Sequence, residues 1–458
     1  LQIQIDKKSD INLDEITRWA DESVIKVEWT LIKRSPDDIN ERLRLGIIEL
    51  KADKIELLSG SQNTPFEVPQ SHKVNENLRM TYRYLDLRNP HIMENVIKRH
   101  EVTQYIRSFF DQRWFLHVDT PILGKPSDEW SREFSVPSRL HPSSFYTLPQ
   151  APQQLKQLLM WSGVDKYYQI ARCFRDEDPK WDRQPEFTQV DMEMAYIQEE
   201  DIVALISELV VWILEKNYPH KKLITKTIPH YDYNYIIEHY STDKPDLRYW
   251  LKMYTLTDMV KDCGFDVFAN VVAKWWIVKA MLVEWWKKMF SKKYLDVTLK
   301  EFTQQLGWWG LANFHVWWEA NFVEEKLGKE LVAKIIEKTG AKEWDTLLFV
   351  ADQESTAHQI LSQTRQKIAK DYKLYKEDDI SLLRVRNFPM FEKTDEGKRK
   401  FTHNPFSMPK IECLKDFMEG KNIPNIMAQQ YDIVMNWNEV WGWSIRAHLP
   451  ELLQQTYK

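Results

Sequence analysis

The segment YYQIARCFRDEDPKWDRQPEFTQVDMEMAY, residues 167–196, decides how the rest of the chain is read. Residues 167–177 alternate apolar and polar side chains. Residues 186–196 do the same, with Phe187, Val190, Met192 and Met194 as the apolar members. Between them lies the polar loop DPKWDRQP, with a proline near each end. Two alternating runs joined by such a loop predict an antiparallel hairpin. Its charge is unusual: Arg175, Asp176, Glu177, Arg183, Glu186 and Asp191 share one hairpin with Tyr167, Tyr168, Phe174 and Phe187. A run of charges is usually a solvated face. In aromatic surroundings an unpaired charge is costly, so this set points to a charged ligand.

Composition bounds the answer. A chain of 458 residues predicts two or three domains. A formal charge of −5 and a pI near 6.2 do not mark a nucleic-acid binder, so any such contact must come from local basic patches such as Lys98–Arg99–His100. The three cysteines, Cys173, Cys263 and Cys413, are scattered and lack metal-ligand spacing, which predicts a reducing, cytoplasmic setting without disulfides or zinc. No signal peptide and no membrane-spanning apolar run is visible.

FRDED followed by DRQPEFTQVD (174–191) resembles motif 2 of the class II aminoacyl-tRNA synthetases, in the form typical of bacterial-type aspartyl-tRNA synthetases. The resemblance continues along the chain. It implies an α+β fold: a partial OB-fold β-barrel, then the class II antiparallel sheet flanked by helices, with an inserted α+β domain. Residues 1–60 correspond to the later part of an anticodon-binding barrel, read as strand, a short helix capped by Asn12, and two long strands. Residues 61–82 form a linker, and 83–264 carry motifs 1 and 2, opening on RYLDLRNP (83–90). The helix near 93–112 and the strand FLHVDTPIL (115–123) are similar to motif 1, which implies a homodimer. Residues 265–382 resemble the inserted GAD-like domain, opened by FDVFANVV (265–272) as a strand, with helices at 327–340 and 358–372. Residues 383–458 continue the catalytic domain. The chain opens at Leu1 inside a strand-like run and stops before the glycine-rich motif 3, so a fragment, inactive by itself, is expected.

The resemblance also implies an activity: aspartate–tRNA ligation, in which L-aspartate and ATP form an adenylate that is passed to tRNA(Asp). ATP is a substrate and Mg2+ the cation. Arg175, Asp176, Glu177, Gln184 and Glu439 match ATP-binding positions, with Arg175, Glu177 and Glu439 closest to the chemistry. Asp432 and Glu439 match the Mg2+ carboxylates. Glu129, Gln153, Lys156, Arg175, Asp191, His403 and Arg446 match the aspartate pocket, with Arg446 and Lys156 selecting a carboxylate over an amide and Asp191 orienting both. Guanidinium is planar, permanently charged and bidentate, which suits Arg175 to an α-phosphate. Ala151 stands where serine is common, and DKPDLR (243–248) is a further match without an assigned role. Competing expectations are a non-discriminating ligase that also charges tRNA(Asn), a non-catalytic tRNA-binding paralogue, and a tRNA-independent amino-acid ligase. The last would lack the barrel remnant at 1–60.

One composition figure is abnormal. Glycine is 12 of 458, about 2.6 % against a usual ~7 %. Tryptophan is 20. Many tryptophans stand where a turn wants glycine: Trp29, Trp114, Trp130, Trp181, Trp344, Trp437, Trp441 and Trp443, and the pairs at 275–276, 285–286, 308–309 and 317–318. The family's pattern has glycine at most of these places. Together the two residue types come to 32, about 7 % of the chain, the ordinary glycine level. This predicts a gene that reads UGA as glycine, translated here as tryptophan. Trp212, in a helical apolar run, reads as authentic.

Overall fold

The computed structural model describes residues 2–6, 10–41, 45–126, 131–178, 183–225, 227–274, 276–284, 291, 293–307, 312–315, 326–393 and 398–457. It forms two compact units, Leu1–Thr103 and Gln104–Lys458.

The first unit holds strand β1 (Ile3–Gln4), helix α1 (Leu13–Ile16), and the long strands β2 (Val24–Lys33) and β3 (Ile48–Ser59). Asn12 caps α1, its side chain accepting from Glu15 N at 3.3 Å, as a short polar side chain does at a helix start. The sheet runs β1-β3-β2, parallel then antiparallel. Further along, the RYLDLRNP segment closes on itself. Asp86 is fully buried and takes Arg79 at 3.0 Å together with Arg83.

Among the described residues, the second unit holds three sheets of three or four strands and three two-stranded ones. Helix α2 (Pro90–Asp111) contributes Ile106, Phe109 and Phe110 to its core. Strand β4 (Leu116–His117) follows, and helix α3 is Gln153–Trp161. The expected hairpin is β5 (Lys166–Phe174) and β6 (Glu186–Met194), paired from Lys166↔Met194 to Phe174↔Glu186. Side chains alternate across a strand, so the hairpin has two characters. Tyr168 and Met192, a cross-strand pair, lie on the core side, where Tyr168 stacks on Phe110 at 4.8 Å. The opposite face carries Gln169, Gln189, Asp191 and Glu193. Phe187, read as one of four like apolar members, also belongs to this opposite face, because it is an odd number of residues from Val190, Met192 and Met194. The strand expected over 115–123 is shorter: only β4 pairs with β5, in parallel. Pro121 supplies no donor for a ladder, and Thr120 turns its hydroxyl to Gln169 Oε1 at 2.9 Å instead.

Helix α4 (Glu199–Asn217) opens with a capping box between Gln198 and Asp201. Strand β7 (His230–Asp232) leads into helix α5 (Tyr233–Tyr240), and strand β8 is Met253–Thr255. Next come helix α6 (Asp266–Ala273), strand β9 (Ile277–Val283), strand β10 (Ala312–His315), helix α7 (Lys329–Thr339), strand β11 (Thr346–Asp352) and helix α8 (Glu354–Asp371). FDVFANVV is thus a helix, not the expected strand. Phe265, Phe268, Val271 and Val272 sit at helical spacing, and a short apolar run does not tell the two apart. The sheet β8-β9-β11-β10 is antiparallel and covered on both faces, which is why β9 is buried nearly throughout. Met281 and Val283 pack with Ile360, Leu361 and Ile368 of α8; Val278, Ala280 and Leu282 pack with Val332 and Ile335 of α7. Strands β12 (Leu382–Pro389), β13 (Met427–Met435) and β14 (Asn438–Ser444) complete the last sheet, ordered β7-β12-β13-β14.

The tryptophans divide. Trp212 packs edge-on to Tyr105 at 5.2 Å, as a core residue should. Trp114 and Trp344 have φ of 62° and 77°. Trp344 is the third residue of a turn closed by Asp345 N donating to Lys342 O at 3.0 Å, the place where a type II turn asks for glycine. Trp130, Trp181, Trp275, Trp285, Trp286, Trp308, Trp309, Trp317 and Trp318 lie outside the described residues.

Candidate active site

The polar face of the hairpin meets α3 and the end of β14. Asp191 and Glu193 are two apart on β6 and so share a face. Gln153 and Lys156 are three apart on α3 and share another. Lys156 Nζ lies 2.6 Å from Asp191 Oδ1 and 3.2 Å from Glu193 Oε2, and it donates to Met192 O at 3.3 Å. Two of its N–H groups are thus hydrogen-bonded, to Asp191 and Met192 O, while Glu193 Oε2 is held as an ion pair without a hydrogen bond. Arg446 follows β14, its backbone clamped by Met408 N donating to Ile445 O and Ala447 N donating to Phe406 O, each at 2.8 Å. Its guanidinium reaches Glu193 Oε1 (3.4 Å, from Nε), Ser444 Oγ (2.7 Å, from Nη1) and Gln153 Oε1 (3.2 Å, from Nη2), and lies 4.8 Å over the Phe406 ring. Among the described residues three of five N–H donors are used, leaving one on each terminal nitrogen.

Asp191 thus reaches Lys156, while the carboxylate on Arg446 is Glu193. Burial pushes the Asp191 carboxyl above its ordinary range, with Lys156 opposing. Burial also works against charge on Glu193, yet Arg446 and Lys156 outweigh it and hold that carboxyl below its ordinary range. Gln153 Nε2 and Asp191 Oδ2 are buried without a hydrogen-bond partner, which leaves polar capacity for a ligand.

Arg175 stands just past β5. Its backbone N donates to Pro185 O at 2.8 Å, and its guanidinium lies 4.9 Å over Phe187. Asp176 N donates to Arg132 O at 3.0 Å, tying the hairpin end to the segment after residue 130. Glu177 pairs with Arg183 at 3.6 Å across the loop, and Gln184 is exposed beside it. Glu129 lies outside the described residues.

The β13–β14 hairpin makes a third cluster. Asp432 is 1 % exposed, and neither carboxylate oxygen has a hydrogen-bond partner. Opposite Asp432 in the ladder stands Gly442. A Cβ there would come 2.9 Å from Asp432 Oδ1 and 3.0 Å from Glu439 Oε1, so only glycine lets both oxygens approach. Burial, then Glu439 and Asp243, push Asp432 well above the ordinary carboxylate range. Lys244 Nζ lies 2.8 Å from Glu439 Oε2. Burial works against its charge, but Glu439 and Asp243 outweigh it and raise its pKa. His403 packs edge-on to Phe388 at 4.8 Å, its pKa lowered by burial.

Two converging carboxylates, one of them buried with both oxygens unbonded, fit a hard divalent cation. Among the described residues no group of three or more His, Cys, Asp or Glu is placed to hold one, so phosphates and water would supply the remaining ligands. The sequence reading brought Gln153, Lys156, Asp191 and Arg446 to one place and Asp432 and Glu439 to another. It missed Glu193, visible only as the next same-face residue after Asp191, and Lys244, which sits in DKPDLR.

A family model described as tRNA synthetases class II (D, K and N) matches residues 75–458. The aspartate–tRNA(Asp/Asn) ligase of Natranaerobius thermophilus is 40 % identical over 448 residues, covering 95 % of this chain and 74 % of that protein. The aspartate–tRNA ligase of Limosilactobacillus reuteri is 38 % identical over 438 residues, covering 95 % and 72 %. Among solved structures, asparaginyl-tRNA synthetase from Pyrococcus horikoshii, complexed with asparaginyl-adenylate, aligns with a TM-score of 0.53 at 14 % identity, covering 100 % of this chain and 76 % of that one. A Leishmania major Friedlin protein assigned as an aspartyl-tRNA synthetase gives 0.55 at 17 %, covering 99 % and 74 %. At such identities these two establish the fold.

Proposed function

This chain belongs to the class II tRNA synthetases (D, K and N), and we propose that it is an aspartate–tRNA ligase. It activates L-aspartate with ATP, forming aspartyl-adenylate and pyrophosphate, and transfers the aspartyl group to the 3′ end of tRNA(Asp). The observation that carries this reading is Arg446: a guanidinium fixed by Glu193, Ser444 and Gln153 that keeps one N–H on each terminal nitrogen. That fork matches a carboxylate side chain bidentately. An amide presents one acceptor and one donor to it and leaves an N–H facing an N–H. With Lys156 already ion-paired to Asp191 and Glu193, discrimination falls chiefly on Arg446, while Asp191 and Glu193 fix the surroundings of both cations.

Activation brings the substrate α-carboxylate to the α-phosphorus. Two anions must be held together, so fixed cations and alignment are needed rather than a protein nucleophile. In this reading Arg175, stiffened by its backbone bond and by Phe187, takes the α-phosphate and α-carboxylate. Asp176, Glu177 and Gln184 hold ATP, Glu129 takes the substrate amino group, and His403 closes the pocket as a neutral imidazole. Asp432 and Glu439 would hold Mg2+, which supplies charge neutralisation to the phosphates when bound.

The same reading divides the chain at 1–60, 61–82, 83–264, 265–382 and 383–458, and places homodimer contacts on motif 1, where Leu116, Ile122 and Leu123 are exposed apolar residues. Cys173, Cys263 and Cys413 as thiols rather than disulfides agree with a cytoplasmic enzyme, and no described helix is long and apolar enough to cross a membrane. Relatives of both specificities leave a second reading, charging of tRNA(Asn) as well. Aspartate-dependent ATP–pyrophosphate exchange in a full-length enzyme tests activation. Charging of tRNA(Asp) and tRNA(Asn) transcripts separates the specificities, and exchange equal with aspartate and asparagine would overturn the assignment.

A further inference from the structure

We propose that Lys244 is the resident counter-ion of the Asp432–Glu439 pair and makes divalent-cation binding there conditional on nucleotide. The proposal rests on the synthetase reading. Three carboxylates, Asp243, Asp432 and Glu439, bear on this end of the site, and Lys244 is the cation in contact with it, 2.8 Å from Glu439 Oε2. Its ammonium neutralises one Glu439 oxygen. The other, Oε1, and Asp432 Oδ1 converge on the cradle at Gly442. A flexible ammonium with three donors can exchange a carboxylate oxygen for a phosphate oxygen, so arriving phosphates give Lys244 a second place to go. While it stays on Glu439 its charge opposes a metal ion. Once it turns to phosphate, both carboxylates face the cation.

The segment that carries Lys244 is pinned, so the exchange belongs to the side chain and not to a moving loop. Asp246 is fully buried and bound by Arg248 through Nε (3.0 Å) and Nη2 (2.7 Å). Arg365, from α8, is 2 % exposed and donates to Leu251 O (3.1 Å), Asp246 O (2.7 Å) and Tyr249 O (2.8 Å), with its plane 4.1 Å from the Tyr249 ring. One guanidinium from the region between motif 2 and the last sheet therefore sets the backbone two residues from Lys244.

The test is Lys244→Met, with Lys244→Arg as the charge-preserving control, read by Mn2+ EPR with and without a non-hydrolysable ATP analogue. The expected result is opposite shifts. Mn2+ alone binds Lys244→Met about tenfold tighter, because one nearby positive charge is gone, while the analogue binds about tenfold weaker. Lys244→Arg keeps both affinities within about threefold of the parent. A residue that merely props up the hairpin would weaken both ligands together, and that outcome overturns the proposal. So does a Lys244→Met protein with both affinities unchanged. If neither the parent chain nor a full-length enzyme binds the ATP analogue, the synthetase reading falls and this proposal with it; a parent that binds the analogue while the variant shifts both ligands the same way sinks only the role of Lys244.

Discussion

The two ends of the site bury charge in opposite ways. At the aspartate end, Lys156 and Arg446 face Asp191 and Glu193, and the ions answer one another. At the nucleotide end, Asp432 is as deeply buried with both oxygens unmet, and the nearest cation sits on its neighbour. A buried ion pair with good geometry roughly offsets its own desolvation, whereas an unpaired buried charge does not. The first end thus has its charges balanced before its ligand arrives, with only single polar atoms such as Gln153 Nε2 and Asp191 Oδ2 left unbonded. The second is complete only when a cation binds, so its folding cost is recovered in binding.

The comparison is broken most directly at Arg446. Arg446→Leu removes the guanidinium proposed to take the aspartate side chain, and in a full-length enzyme aspartate-dependent pyrophosphate exchange should fall by roughly 10³-fold or more. Near-parental exchange in that variant would show that the paired ions at the aspartate end are scaffold only.

Next in size are two neutralising substitutions expected to move stability in opposite directions. Glu193→Gln leaves Arg446 without its carboxylate and Lys156 with one fewer, and should cost about 3 kcal/mol, measured by urea unfolding. The Glu193 carboxyl lies below its ordinary 4.5, so its stabilisation is fully present above that pH and is lost as pH falls through the lower folded value. Asp432→Asn should instead stabilise the metal-free protein by about 1–2 kcal/mol while abolishing Mn2+ binding. Its sign with pH is reversed. A carboxyl raised in the folded state binds more protons folded than unfolded, so the penalty grows as pH rises from the ordinary 3.8 through the raised value, and the gain in the variant shrinks on acidification. If both variants were destabilised alike, the two ends would not differ in kind.

Much of this was legible in the residues. The 167–196 alternation located both strands of the central hairpin, since a period of two has few other causes. The convergence of Gln153, Lys156, Asp191 and Arg446 followed from the family wording rather than from spacing, because they are spread from residue 153 to residue 446. Glu193 was open to inference from the alternation that put Asp191 inward. What was not legible is how the charges are shared. That depends on a few ångströms, and no pattern told that Lys156 would pair with both Asp191 and Glu193 or that Asp432 would use none of its acceptors. FDVFANVV failed for a different reason: its valines favour strand, and only packing against β9 settles it as helix.

The smallest effect is expected away from both ends, where the backbone itself disagrees with the residue. At the end of α3, Gly163 N donates to Met160 O and Val164 N to Leu159 O, with Gly163 at φ 90°. At the end of α2, Trp114 N donates to Asp111 O and Phe115 N to Phe110 O, with Trp114 at φ 62° and 86 % exposed. These are the same Schellman closure, filled once by the residue it favours and once by one whose Cβ makes the left-handed conformation cost ~1–2 kcal/mol. The exposed indole gains little burial to set against that. Trp114→Gly should therefore stabilise the protein by about 1 kcal/mol, after allowing for the greater freedom of glycine in the unfolded chain, and should leave Mn2+ and aspartate binding unchanged. Mass spectrometry of the protein from its own host is the sharper check. A peptide carrying the mass of glycine at position 114, and of tryptophan at 212, would mean that the strain belongs to the reading of the code and not to the fold.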